Sequence, residues 1–272
     1  MTAFAYHFLF EFKTGLRNST ALLMNYLFPL AFYAMMGLIM VKINPGFANV
    51  LLPAMVIFVS LVSNLLGLPG PLVESREAGI YRSFKINGVP ALSILATPTL
   101  STIFHALIVS ILIALTARPL FDGVNPTSWG AFAWITLLVV FTSGAFGALI
   151  GVIATSSRST VLLSQLIFLP SMLIGGMMIP LDLLPASVRP VSMLLPSTHA
   201  MQAYLGLAYG QATVLDPWVS VAILVASGLL AFGLAIYLFN WDSRNQVRRG
   251  HPALALLVLV PYLIGILLGT VL

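Results

Sequence analysis

The sequence contains no cysteine and few charged side chains. Its 272 residues are 60% hydrophobic and 7% charged, whereas an ordinary soluble domain is about 25% charged. The lack of cysteine excludes disulfide bonds, thiolate metal ligands and a cysteine nucleophile. The low charge excludes a soluble domain and indicates a chain that folds in a lipid bilayer.

Motifs for nucleic-acid binding, ATP hydrolysis and metal binding are also missing. The net charge is +5, but the twelve basic residues are scattered through short loops and form no basic patch for a nucleic acid. No Gly-x-x-x-x-Gly-Lys-Ser/Thr phosphate loop is present, and none of the three lysines follows a glycine. No His-x-x-x-His pair occurs, so no metal site is predicted. The four histidines are His7, His105, His199 and His251.

Seven long apolar runs follow one another along the chain. Only helices and closed barrels satisfy every backbone group in lipid, and a helix crosses the hydrocarbon core in about 20 residues. The two-residue alternation of barrel strands is missing. We predict an all-α integral membrane protein, a six-helix bundle with a seventh C-terminal span. The predicted spans are Leu22–Val41, Leu51–Leu68, Ala91–Leu115, Gly130–Ala154, Val161–Ile179, Trp218–Phe239 and Ala253–Val271.

The basic residues favour one orientation in the membrane. Cytoplasmic loops are enriched in lysine and arginine, and a cytoplasmic N-terminus places nine of the twelve inside. We predict this orientation in a bacterial plasma membrane, with an N-terminus that is retained and not cleaved as a signal peptide. The residues expected inside are Lys13, Arg17, Arg76, Arg82, Lys85, Arg158, Arg244, Arg248 and Arg249, and those expected outside are Lys42, Arg118 and Arg189.

Residues 1–20 predict an amphipathic helix that lies in the membrane interface. Phe4, Phe8, Phe12 and Leu16 recur every four residues beside charged side chains, which is typical of such helices. Asn18 begins a run of three residues that favour helix caps and would separate this helix from the first span. The alternative is that the segment is a frayed start of that span.

Residues 71–90, between the second and third predicted spans, hold the densest charge. The pattern predicts a short helix over residues 74–85 that ends at Asn87 and Gly88. A charged helix with one apolar edge either binds a partner or rests on the lipid headgroups, and the pattern alone does not decide between them.

Residues 180–216 are too long and too apolar for a simple connection on the outer side. They predict two short helices, over residues 191–195 and 198–209, that re-enter the outer leaflet. Neither is long enough to cross the bilayer.

Polar residues inside the predicted spans are expected to serve packing. Ser143, Gly147 and Gly151 share the four-residue spacing that lets helices approach closely. The sequence around Ser143 resembles the Gly-x-Ser-Gly of rhomboid proteases, but Phe141 replaces the first glycine, and the sixth predicted span has no histidine to act as a base. His105 is the one ionisable residue within a predicted span. We expect His105 to contact Thr102 or Ser101, and Asn25, Asn64 and Gln165 to form hydrogen bonds between helices.

The charged loop and the proline-rich outer segment carry recognisable motifs. The loop reads Glu74-Ser75-Arg76-Glu77-Ala78-Gly79, followed by Arg82, Lys85 and Pro90-Ala91-Leu92-Ser93. The outer motif comprises Pro170, Gly175, Gly176, Pro180, Pro185, Pro196 and Tyr204. Together they resemble the membrane subunit of an ATP-binding-cassette exporter of the type-2 permease class.

The resemblance covers residues 1–240 and implies a mechanism. In that family, the loop is a coupling helix that docks into a separate nucleotide-binding ATPase subunit, which holds ATP and Mg²⁺. The resemblance implies no cofactor and no catalytic residue on this chain, and a second permease chain that completes a homodimer or heterodimer. The implied coupling residues are Glu74, Arg76, Glu77, Gly79, Arg82 and Lys85. The implied outer gate residues are Pro170, Gly175, Gly176, Pro180, Pro185, Pro196 and Tyr204.

The resemblance divides the chain into an interfacial helix (1–20), a six-span permease domain (21–240) and a C-terminal extension (241–272). The expected substrate is amphiphilic or lipophilic, such as a drug, an antibiotic or a lipid-like molecule, because no charged ring selects ions. Two other interpretations stay open. They are an intramembrane serine hydrolase that uses Ser143 and a regulatory membrane subunit that transports nothing.

Overall fold

The computed structural model describes residues 3–242 and 250–269. Within these two ranges every regular element is a helix, which confirms the all-α prediction. Arg244, Arg248 and Arg249, which we predicted to be cytoplasmic, lie outside the described residues.

Six helices of the described residues are long and apolar enough to cross a membrane. They confirm the prediction of six spans. The first three extend beyond the predicted bounds, and the other three begin and end earlier than predicted. The first to sixth spans are Ser19–Ile43, Leu51–Glu77, Ala91–Phe121, Trp129–Ile153, Ser157–Ile174 and Pro217–Leu238.

The second and fourth spans form the centre of the bundle. All residues of Leu51–Leu61 are buried, and the fourth span approaches the second through its glycines. A Cβ atom on Gly147 would collide with the backbone oxygen of Asn64, and one on Gly151 would lie 2.7 Å from the Leu72 side chain. Helices in lipid gain little from hydrophobicity, so close packing of small residues is a main source of their association.

The N-terminal helix, Ala3–Arg17, is separate from the first span. Asn18 has an extended backbone, and its side-chain oxygen accepts the N–H of Ala21 at 3.0 Å. The separation at this cap agrees with the prediction and excludes a frayed start of the first span. Phe8 contacts Phe104 and Phe12 stacks on His105, so the helix packs along the third span.

The charged segment between the second and third spans, predicted as residues 71–90, differs from the prediction. We call residues 69–90 the coupling segment, after the role that the resemblance implies. The second span does not end at Leu68 but continues to Glu77 after a π-helical turn. The predicted helix over residues 74–85 is wrong, because Gly79 adopts a left-handed conformation with φ 74°. Glycine adopts that conformation without steric cost and ends helices for this reason. A new helix, the coupling helix, runs over Ile80–Ile86 and ends as predicted before Gly88, which has φ 72°.

The outer segment folds against the bundle. The fifth span ends at Ile174, not at Ile179, because Gly176 has a φ of 84° that ends the helical path. Two short helices follow close to the predicted positions, at Arg189–Ser192 and over residues 196–208, the second of which we call the outer helix. All eight residues of its first part, Pro196–Ala203, are buried.

A further apolar helix follows the sixth span. This C-terminal helix has a 3₁₀ part, Pro252–Leu259, and an α-helical part, Val260–Gly269. Pro261 lies in the first α-helical turn, where proline is tolerated, so it does not interrupt the helix. This helix is not one of the six spans, so the seventh span that we predicted over residues 253–271 stays a prediction. The Tyr262 hydroxyl forms a 2.9 Å hydrogen bond with Ser227 of the sixth span.

Candidate functional site

Arg76 joins the end of the second span to the end of the fourth. Its side chain is only 7% exposed. The guanidinium donates hydrogen bonds to the backbone oxygens of Val152 (2.8 Å), Gly151 (3.4 Å) and Ala154. The last carbonyl groups of a helix lack partners within it and form the negative end of its dipole. Arg76 therefore caps the fourth span with a positive charge.

This position differs from the role that the resemblance implied for Arg76. We expected its side chain at the contact with an ATPase subunit, but the structure places it inside the chain, where it donates to three backbone oxygens. The capped carbonyl groups lie more than 70 positions away in sequence. No local pattern revealed this interaction.

The other charged side chains of the coupling segment are exposed. Arg82 forms an ion pair with Asp242, which follows the sixth span. Glu74, Glu77 and Lys85 also lie at the surface, where a partner can reach them. Gly79 stands between Glu77 and the coupling helix, and its left-handed backbone sets the angle between the two helices.

Aromatic contacts fix the inner face of the coupling helix. Tyr81 is buried, and its ring lies 5.5 Å from that of Phe239 at the end of the sixth span. Phe84 lies 5.6 Å from His7 of the N-terminal helix. Burial raises the pKa of the Tyr81 hydroxyl above its usual value. Displacement of the coupling helix would therefore change its contacts with the N-terminal helix and with the sixth span.

The residues that the resemblance implies for an outer gate fall into two groups. Pro170 lies within the fifth span, and Pro180 and Pro185 lie exposed on the loop that follows it. Four others are buried where the outer helix meets the spans. These are Gly175, Gly176, Pro196 and Tyr204.

Polar contacts hold the outer helix and the end of the fifth span in place. Ser192 donates a 2.6 Å hydrogen bond to the backbone oxygen of Ile174, and Tyr204 forms a 2.8 Å hydrogen bond with Thr136 of the fourth span. A Cβ atom on Gly175 would collide with Ser197. Movement of the fifth span would therefore disturb the outer helix directly.

Ser143 has no histidine base in the part of the chain that the structure describes. His105 forms a 2.6 Å hydrogen bond with Tyr26, and His199 bonds the backbone oxygen of Met193 at 2.8 Å. We predicted that His105 would contact Thr102 or Ser101, but its hydrogen bond is with Tyr26 of the first span. The hydrolase interpretation thus lacks the group that would activate Ser143.

Three amide side chains with buried oxygens do not form the interhelical hydrogen bonds that we expected. Within residues 3–242 and 250–269, the oxygens of Asn25, Asn64 and Gln165 accept no hydrogen bond. The Asn64 amide instead donates to Ser60 of its own helix at 2.9 Å. The same described ranges contain no group of three metal-ligating side chains.

These features define a polytopic helical membrane protein with a charged segment at one end of the bundle and a buried short helix in the outer segment. A family model described as ABC-2 family transporter protein matches residues 41–237, which is more than half of the chain. The chain therefore belongs to the ABC-2 transporter family, the membrane-spanning permease components of ATP-binding-cassette transporters, which normally pair with an ATP-binding subunit. No curated protein and no solved structure matches the chain.

Proposed function

We propose that this chain is the permease subunit of an ATP-driven exporter that moves an amphiphilic or lipophilic substrate out of the cytoplasm or the inner leaflet. A separate ATPase subunit binds the coupling segment and supplies the energy. Family membership supports the transporter class. The geometry of the coupling segment supports the mode of coupling.

The observation that carries the proposal is how firmly the coupling segment is tied to the spans. Arg76 bonds it to the fourth span, Arg82 pairs it with Asp242 after the sixth span, and Phe84 packs it on the N-terminal helix. Its exposed side chains, Glu77 and Lys85, carry opposite charges. Such charges guide the register and specificity of a partner more than they raise raw affinity.

A second permease chain completes the transporter in this proposal. The fifth span leaves Leu162, Leu166, Leu169 and Leu173 exposed along its length, and the first span is similarly poorly buried. Contact along these two helices would place their apolar faces against the second chain, and alternating access would then arise from movement of the two permeases.

The test is co-purification of the ATPase from native membranes in mild detergent. We expect a soluble-type ATPase to elute with the wild-type chain, and to be lost from the Glu77→Lys and Lys85→Glu variants, because each reverses an exposed charge of the coupling segment. Lys42→Glu is the matched control, since Lys42 is exposed at the opposite end of the first span. Absence of an ATPase under several gentle conditions would contradict the proposal and favour a regulatory subunit.

A further inference from the structure

Two cavities adjoin beneath the N-terminal helix. One, of about 310 Å³, lies where this helix meets the first three spans. The other, of about 490 Å³, lies between the N-terminal helix, the coupling segment and the start of the third span. Because Glu11, Thr14, Pro71 and Pro98 line both, the cavities form one groove with two chambers.

The first chamber, which we call the polar chamber because it is the more polar of the two, carries negative charge. Glu11 and Glu74 line it, together with hydroxyl and amide side chains, and none of its described lining residues is a lysine or an arginine. His7 lies 3.6 Å from Glu11 on the side of the second chamber. Burial raises the pKa of the Glu11 carboxyl, and His7 opposes that rise. A cation bound beside Glu11 would favour its ionised form.

A buried amide oxygen lacks a donor in the same chamber. Asn25 lines the chamber, its side chain is 6% exposed, and its Oδ1 accepts no hydrogen bond from the described residues. Leaving a buried acceptor without a partner costs about 1–3 kcal/mol. A ligand that donates hydrogen bonds would remove this cost, and an ammonium group has three N–H donors and no acceptor.

Contacts with two helices fix His105 in the wall of the polar chamber. His105, which lines it, is 1% exposed, bonds the Tyr26 hydroxyl and stacks on Phe12 with ring centroids 4.4 Å apart. This part of the wall is already in place before a ligand binds, which lowers the cost of binding.

The second chamber is mainly apolar. Its walls include Phe10, Leu72, Ile80, Phe84 and Ile94. A hydrocarbon or aromatic group would be removed from water there, which contributes about 25 cal/mol for each Å² of apolar surface buried.

We propose that this groove binds a single-chain cationic amphiphile, with its ammonium group between Glu11, Glu74 and the Asn25 oxygen and its apolar body in the second chamber. A phospholipid headgroup fits less well, because its phosphate would meet carboxylates and no basic side chain in the polar chamber. The site needs neither ATP nor a partner chain, so it goes beyond the proposed transport function.

The test is a fluorescence titration of the full chain in phosphatidylcholine nanodiscs with dansylcadaverine, which joins a primary amine to an aromatic body. Empty nanodiscs give the background. We expect saturable binding of one probe per chain. The neutral analogue N-pentyl dansylamide should bind about tenfold more weakly, equivalent to about 1.4 kcal/mol. Equal binding of the neutral analogue would overturn the proposal.

Variants of the polar chamber test which residues hold the amine. Glu11→Gln and Glu74→Gln should each weaken binding about tenfold, whereas the matched control Glu77→Gln, which alters an exposed carboxylate outside the groove, should change it less than about twofold. Thr14→Glu adds a carboxylate to the groove and should tighten binding, a gain that misfolding cannot produce. Equal losses in the Glu77 and Glu11 variants, or no gain from Thr14→Glu, would contradict the assignment.

A lipid competitor separates a free amine from a membrane aminolipid. Nanodiscs that contain phosphatidylethanolamine should leave the affinity for dansylcadaverine unchanged. Displacement of the probe by this lipid would overturn the assignment to a cation without phosphate. Because the assay uses no ATPase, its failure and the failure of ATPase co-purification are separate results.

Discussion

Replacing Arg76 tests whether the cap on the fourth span stabilises the bundle. Arg76→Met keeps a long side chain but removes the donors that bond Val152, Gly151 and Ala154. Hydrogen bonds to charged groups contribute about 1.5–3 kcal/mol each. The bond to Gly151 is long at 3.4 Å, so we count the other two and obtain about 3–6 kcal/mol.

Water is expected to replace part of this loss. A cavity of about 90 Å³ lies beside Arg76, and a space of that size and polarity can hold water molecules that would bond the freed carbonyl groups. We therefore expect the lower end, about 3 kcal/mol, which corresponds to a fall in Tm of about 6–12 °C for a chain of this size.

The assay is thermal unfolding of the purified chain in detergent, followed by tryptophan fluorescence. Arg82→Met is the matched control, because Arg82 is exposed and its pair with Asp242 should contribute about 0–1 kcal/mol. Arg76→Lys keeps the charge but not the planar guanidinium group, so its Tm should lie between those of Arg76→Met and Arg82→Met. A Tm loss for Arg76→Met no larger than that for Arg82→Met would refute the capping argument.

Two pairs of glycine substitutions test a close approach in the bundle and a left-handed backbone position. Gly147→Leu should abolish the folded, monodisperse protein in detergent chromatography, because a side chain there meets the Asn64 backbone, whereas Gly233→Leu, with nothing within 4 Å, should fold normally. Gly176→Ala should cost about 1–2 kcal/mol, since φ is 84° at this position, and Gly130→Ala, which has open space and no positive φ, should not lower Tm. If Gly147→Leu folded as well as Gly233→Leu, the packing explanation would be wrong. If Gly176→Ala lowered Tm no more than Gly130→Ala, the backbone explanation would be wrong.

The spans and the N-terminal helix were predictable because their signals are local. Apolar runs of about 20 residues define a span, and Asn18 separates two helices through a bond to a residue three positions away. The stop before Gly88 was equally local. The break at Gly79 was not anticipated, because the surrounding residues favour a helix and only its left-handed backbone, φ 74°, reveals the turn.

The candidate site was less predictable because its supports come from distant parts of the chain. The charged motif lies on a largely exposed segment, but Arg76 meets carbonyl groups more than 70 residues away and Arg82 meets Asp242 after the sixth span. His105 likewise bonds Tyr26 across two helices. Such pairings depend on helix packing, which the spacing of residues along one helix does not specify.

The most direct test of the central claim is photo-crosslinking in native membranes from the coupling segment. A photoreactive amino acid at position 77 should capture an ATPase subunit, identified by mass spectrometry, while the same amino acid at position 42, at the far end of the first span, should not. Capture from position 77 alone would support a permease that is driven through the coupling segment. No ATPase adduct from position 77, or equal adducts from both positions, would contradict it.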